Sequence, residues 1–221
     1  VLAQSLILQP NISPDGDKIA FSYQGDIWTV ATSGGRADRI TIHEGYEKNP
    51  VWNDNSELIA FSSDRFGNDD VFVIPASGGS ALRLTYHSAN DSVIGFTANN
   101  EVLFNSRRLY AQVEREPEVL TVSAEGKGTE SRFMDALGFD ASISPDGNKV
   151  AFLRGTARTS REDYRGPANR NIWIYDIKAN SYEQLTDHAG ADFMPKWIDN
   201  ETIYFVSPRS GKYNVHSSTL K

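Results

Sequence analysis

"ISPDGDKIAFS", Ile12–Ser22, returns almost letter for letter as "ISPDGNKVAFL", Ile143–Leu153. Each copy opens on Ser-Pro-Asp-Gly. In such a turn Pro presets φ, Asp can bond its own backbone two residues on, and Gly takes the left-handed position. An alternating apolar run follows, the pattern of a half-buried strand. Looser copies are "WNDNSELIAFS" from Trp52, "FTANNEVLFNS" from Phe96 and "WIDNETIYFVS" from Trp197. The anchors Ile12, Trp52, Phe96, Ile143 and Trp197 lie 40, 44, 47 and 54 residues apart. Self-similarity at such a period marks a repeat architecture.

Every copy carries the same parts. A short apolar segment ends at the anchor, and a tight polar turn leads into the second strand. A third strand follows, as in "GDIWTVAT", "DDVFVIPA", "RNIWIYDI" and "YNVHSSTL". Turns such as "SGG" at Ser33 and Ser77 then lead to a short fourth strand, "ADRIT", "ALRLT" or "YEQLT". Four short strands per repeat, without helical periodicity, predict an all-β fold: a β-propeller of four-stranded antiparallel blades with five repeats visible. The blades fall at about 1–42, 43–86, 87–134, 135–187 and 188–221, within one propeller domain. A sandwich does not explain a repeat of this length.

With 221 residues the chain is long enough to bury a core. It has no cysteine, which excludes disulfides and thiolate metal sites. A formal net charge of −7 argues against a nucleic-acid partner, which would require a basic footprint. No apolar run reaches the roughly 18 residues of a membrane span. The opening "VLAQS", Val1–Ser5, reads as a signal-peptide remnant, giving a periplasmic or exported protein, with a strand lead-in and a cytoplasmic location as the alternative.

These residues resemble the WD40-like "SPDG" repeats of TolB-type and tricorn-type propellers, along the whole chain. Three longer strings resemble the N-terminal propeller of tricorn-like serine proteases: "FSYQGDIWTV" (Phe21–Val30), "FSSDRFGNDDVFVIPASGG" (Phe61–Gly79) and "YRGPANRNIWIYD" (Tyr164–Asp176). The resemblance implies a non-catalytic propeller that binds or guides peptides toward a downstream protease domain in the same polypeptide. The alternative is a TolB-like periplasmic scaffold that docks a protein partner without enzymatic activity. A sugar-binding propeller is disfavoured, because Trp28, Trp52, Trp173 and Trp197 all read as strand core. Propellers of this kind close with six or seven blades. Five repeats, the last with three strands, therefore predict a piece of a longer protein, or association of copies through open edges.

The repeat also sorts the loops by face. Turns between strands one and two, and three and four, are short. Loops between strands two and three grow from "QG" at Gln24 to "DRFGN" at Asp64, "RRLYAQVEREPE" from Arg107 and "GTARTSREDYRGPANR" from Gly155. Recognition is expected on this variable end. The blade-to-blade connections emerge there too. Three share one frame: "ITIHEGYE" from Ile40, "LTYHSAND" from Leu84 and "LTDHAGAD" from Leu185. Crossing a blade covers roughly 14 Å, so His43, His87 and His188 are expected far apart, with a structural role, each imidazole bonding loop backbone. No shared metal site is expected from them. The acids Glu47, Asp91 and Asp192 are expected to approach a channel mouth, where carboxylates would attract cationic peptides.

Arg65, Arg107, Arg108, Arg158, Arg161, Arg165 and Arg170 lie on the long loops and could engage a carboxylate or an acidic partner. The "YRG" string at Tyr164 is the part the family resemblance points to. The binding candidates are thus Glu47, Asp91, Asp192, Tyr164, Arg165, Arg170 and Arg65. "DRFGNDD", Asp64–Asp70, lacks the spacing and terminal Glu of a calcium loop, and a Gly-Asn turn explains it. No nucleophile elbow, phosphate loop or paired helical His is present, so no catalytic residue, metal ligand or cofactor is assigned.

Overall fold

The computed structural model describes residues 6–158, 160 and 164–220. The fold is an all-β propeller of five blades, with no helix among the described residues. Blade one is β1 (Leu8–Ile12), β2 (Lys18–Tyr23), β3 (Asp26–Ala31) and β4 (Asp38–Arg39). Blade two is β5 (Glu47–Trp52), β6 (Leu58–Ser63), β7 (Asp70–Pro75) and β8 (Leu82–Arg83). Blade three is β9 (Ser92–Phe96), β10 (Glu101–Ser106), β11 (Glu118–Ser123) and β12 (Ser131–Arg132). Blade four is β13 (Phe139–Ile143), β14 (Lys149–Arg154), β15 (Asn171–Asp176) and β16 (Ser181–Gln184). Blade five has three strands, β17 (Phe193–Trp197), β18 (Thr202–Ser207) and β19 (Asn214–Thr219). Strands follow chain order within every sheet, and the paired strands run antiparallel.

The repeated turn closes as its side chains dictate. In blade one the Ser13 hydroxyl donates to Asp15 (2.5 Å) and accepts from the Lys18 amide (2.9 Å). Asp15 in turn accepts from the Asp17 amide at 3.0 Å. Gly16 supplies φ +79°, which a side chain would strain. Ser144, Asp146 and Lys149 repeat the arrangement in blade four at 2.6, 3.1 and 2.9 Å. Where the sequence drifts, other oxygens take over. Asn53 accepts the amides of Glu57 and Leu58 (3.0 and 2.8 Å), and Asp199 those of Glu201 and Thr202 (2.8 and 2.6 Å). The motif survives as a hydrogen-bond pattern more than as letters.

The first strands hold a further shared device. A register shift lies between Leu8 and Asn11, Lys48 and Val51, Phe139 and Ser142, and Phe193 and Lys196. Within each shift sits a residue in left-handed conformation: Gln9 (φ 52°), Asn49 (55°), Asp140 (52°) and Met194 (56°). One extra residue on the bulged strand bends it and sharpens its twist. The Gln9 side chain accepts the Asn49 amide (2.9 Å), and the Asn49 side chain donates to Ser92 (3.0 Å), tying successive first strands.

The chain divides into two compact units, Val1–Arg107 with Leu120–Phe133, and Arg108–Val119 with Met134–Lys221. In the first, Ala20 and Ile27 of blade one cluster with Ile59, Phe61, Phe72 and Ile74 of blade two. Ala60, Val71 and Val73 then cluster with Val93, Val102 and Phe104 of blade three. In the second unit, Ala151, Ile172 and Ile174 cluster with Ile203 and Phe205 of blade five. Each cluster thus joins an alanine of one sheet with a phenylalanine of the next, small and large residues packed together. Each buried Phe or Ile adds roughly 1.5–3 kcal/mol. Trp52 and Trp197 donate their indole N–H to the carbonyls of Asn11 (3.1 Å) and Ser142 (2.8 Å) in the preceding blade.

Candidate functional site

The three His frames act as straps. The buried Thr41, Thr85 and Thr186 hydroxyls each accept the amide of the second residue of their blade's third strand, Ile27, Val71 and Ile172, all at 2.9 Å. Further along, the amides of Glu47, Asp91 and Asp192 donate to the carbonyls of Gly25 (2.9 Å), Asp69 (2.7 Å) and Arg170 (3.0 Å). Each frame is therefore bonded at both ends to the start of the third strand it leaves behind. Between those ends lies the histidine, exposed in all three frames. The Nδ1 atoms of His43 and His87 accept the amides of Gly45 (2.9 Å) and Ala89 (3.0 Å). His188 is turned the other way, with Nδ1 against the carbonyl of Ala189.

Glu47, Asp91 and Asp192 have no exposed surface. Arg65, from the loop between β6 and β7, grips Glu47 through Nε (2.9 Å) and Nη2, and lies 4.9 Å over the Phe72 ring. Arg209, from the loop between β18 and β19, grips Asp192 at 3.0 and 3.2 Å and lies 4.6 Å over Phe205. The Glu47 and Asp192 carboxylates are thus used inside their own blades to seat the loop opposite. Sequence reasoning passed over Arg209. The signal was the matching position of the arginine in "SSDRFG" and "VSPRSG".

A second set of pairs lies farther outward, between the third and fourth strands. Asp26 and Asp70, each heading a third strand, pair with Arg39 and with Arg83 (2.6 Å) on the fourth. Burial raises the Asp70 carboxyl above its usual range, with Asp91 adding to the rise and Arg83 opposing it. The Arg83 guanidinium lies 4.2 Å from Phe66 and 4.5 Å from Tyr86, both exposed. In blade four the same two positions are Asn171 and Gln184. Gln184 donates to the Thr186 carbonyl at 2.7 Å, as Arg39 and Arg83 do to those of Thr41 and Thr85 at 3.1 and 2.8 Å. Its amide has no charge to pair across the strand.

The long loop of blade four is closed at its base by the Ala157 amide on the Ala168 carbonyl (2.7 Å). Gly155 sits at φ +119°, and a Cβ there would lie 1.9 Å from the Asn169 carbonyl oxygen. Its amide donates to Glu116 at 2.5 Å. Tyr164 is half-buried, and its carbonyl accepts the Gly190 amide at 3.0 Å. Arg165 is exposed, and Arg170 lies 5.0 Å over the Phe139 ring. Tyr164 and Arg170 therefore meet the last His frame through their backbones. Arg107 and Arg158 are exposed, and Arg108 gives its amide to Glu118 (3.0 Å). Arg161 and the Val1–Ser5 segment lie outside the described residues.

A cavity of about 450 Å³ opens beside this loop, lined among others by Arg165, Asn169, Asn171, Gln184, Asp187 and His188. Another of about 440 Å³ lies between the bases of the two long loops, at Val113–Glu116 and Arg154–Thr156. Among the described residues, no group of three His, Asp or Glu side chains could hold a metal ion, and no helix is long and apolar enough to cross a membrane.

Comparison with known proteins places this geometry. The family model of the tricorn protease N-terminal β-propeller domain matches residues 4–221. The crystal structure of the tricorn protease superposes with a TM-score of 0.79 at 21% identity, covering 98% of this chain and 21% of that one. A protein assigned as TolB from Agrobacterium tumefaciens gives 0.74 at 21% identity, over 93% of this chain and 71% of that one. TolB from Acinetobacter baumannii gives 0.75 at 18% identity, over 99% of this chain and 53% of that one. The chain thus spans about a fifth of the tricorn protease and about half of the Acinetobacter TolB. No curated protein sequence matches it.

Proposed function

Because the chain belongs to the tricorn protease N-terminal β-propeller family, we propose that it is a non-catalytic propeller that binds or guides peptides for a protease domain of the same polypeptide. The observation that carries this reading is the family match along residues 4–221. The shape of the blades supports it. One end is closed by uniform tight turns, while the other carries loops of unequal length beside two open, polar-lined cavities. A rigid scaffold with a single variable end is suited to recognition. On this reading Tyr164, Arg165 and Arg170 serve the recognition loop of blade four, while Glu47, Asp91, Asp192 and Arg65 hold strands and loops in place.

The test is the intact mass of the native polypeptide together with its activity on unstructured peptides. A polypeptide several times longer than 221 residues that hydrolyses peptides, and that loses activity on long peptides when this propeller is deleted, is the expected result. A polypeptide no larger than one propeller, without hydrolysis, overturns the reading and leaves a TolB-like scaffold whose partner is another protein.

A further inference from the structure

Blade four has a hole where its sister blades have an ion pair. In blades one and two the space between the head of the third strand and the fourth strand is taken up by Asp26 with Arg39 and by Asp70 with Arg83. In blade two it is capped further by Phe66 and Tyr86 around the guanidinium. In blade four the acid is Asn171, the arginine is Gln184 and the Tyr86 position is Asp187. Asn171 matches the acid in size but carries no charge, and Gln184 is shorter than the arginine; the cavity of about 450 Å³ lies against these residues. That size falls within the ordinary range for small-ligand sites.

The lining is rich in acceptors. Asn169 is 8% exposed and donates its amide to the His188 carbonyl (2.6 Å) and to Asn171 (3.3 Å). Asn169 lines the cavity, and its Oδ1 is buried and has no hydrogen-bond partner among the described residues. An unpaired buried acceptor costs stability until a donor arrives. Gln184 uses its nitrogen on Thr186, which leaves its Oε1 to accept. Asp187 adds a carboxylate. His188 is reversed in the lining: a carbonyl can only accept, so Nδ1 against Ala189 carries the hydrogen. At His43 and His87 the bond polarity is the opposite. Among the described residues the one arginine or lysine in the lining, Arg165, is exposed.

We infer that this cavity binds a primary ammonium group carried by a peptide, with Asn169, Gln184 and Asp187 accepting its three hydrogens and Arg165 meeting a carbonyl or carboxylate farther along. An ammonium has three donors and no acceptor, which matches the lining. The inference rests on the peptide-binding reading above and specifies which part of the peptide is held. The ammonium belongs either to a free amino terminus or to a lysine side chain, and the probes separate the two.

The experiment is calorimetric titration of the full chain with trialanine, N-acetyl-trialanine and an N-acetylated Ala-Lys-Ala amide. The same titrations are made on the double variant Asn171→Asp/Gln184→Arg, which restores the ion pair of the sister blades and fills the cavity. Trialanine is expected to bind saturably, N-acetyl-trialanine about tenfold or more weaker, and neither to bind the double variant measurably. Binding of the lysine peptide at the strength of trialanine supports the same chemistry with the side chain as its source. Should the double variant unfold, Gln184→Arg alone occludes the cavity from the fourth strand and gives the same readout. Equal binding of free and acetylated trialanine, or binding unchanged in the filled variant, overturns the ammonium site while leaving peptide binding intact. Absence of binding by all three peptides overturns both.

Discussion

Blades two and four use the same strap to opposite ends. In both, a buried threonine, Thr85 or Thr186, takes the amide at the head of the third strand at 2.9 Å. In both, an asparagine, Asn68 or Asn169, donates to the carbonyl of the frame histidine, at 3.0 and 2.6 Å. What differs lies above the strap. Blade two spends a short loop, an Asp–Arg pair and two aromatics on filling the space. Blade four has a long loop, two amides and a cavity. The lesson is a separation of duties: bonds that hold strands are kept, and bonds that merely fill volume are free to change.

Four measurements can break or sharpen that contrast. The largest effect is expected from Arg65→Ala, which leaves Glu47 buried without its partner; chemical denaturation should show a loss of about 3–5 kcal/mol. A loss below 1 kcal/mol would mean that water replaces the guanidinium and that the pair is not a strand-holding bond. Next come Thr85→Val and Thr186→Val, each stranding a buried amide at about 1–3 kcal/mol. Near-equal losses in the two blades support a common strap, while a loss in only one would end the comparison. Gly67→Ala, in the loop of blade two with open space around it, should cost only the about 1–2 kcal/mol of its backbone conformation. Gly155→Ala should cost more, because the new methyl meets the Asn169 carbonyl; equal melting temperatures would show that the long loop yields freely. The smallest effect concerns the turns. The Ser144 hydroxyl, then Asn148, hold the Asp146 carboxyl down to about 2, below the ordinary 3.8. A depressed carboxylate adds stability above its unfolded value and loses it as pH falls through its folded value, so this contribution fades between about pH 4 and pH 2. In Ser144→Ala a carboxyl NMR titration of Asp146 should move up toward 3.8.

The five blades could be read from the sequence because the turn and the strand alternation are local patterns, and local patterns survive in letters. Ser13 and Ser144 announce themselves, and even Asn53 and Asp199 keep the polar-turn signature. The family followed from the longer strings at Phe21, Phe61 and Tyr164. The site was less readable. The frame showed its histidine and its acid, yet the threonine beside them, an ordinary strand residue by composition, makes the buried bond. That Asp192 lies under Arg209 is a fact of two segments brought together across a blade, which no single window of sequence contains. The cavity was harder still. It is a consequence of what Asn171 and Gln184 are not, and a missing ion pair is visible only when the blades are laid over one another in register.

The hydrogen bond from Ala157 to Ala168 has one more consequence. It fixes the two ends of the segment 158–167 to each other before the chain rejoins β15. Whatever sequence lies between the two alanines begins and ends at the same place on the blade. Changing its length then alters chain entropy by only about 0.6 kcal/mol per doubling, and leaves the strand register untouched. Apart from the bond that the Tyr164 carbonyl takes from the Gly190 amide, the segment is in effect a cassette: a position where recombination could exchange one recognition loop for another, and where an engineer could graft a foreign epitope.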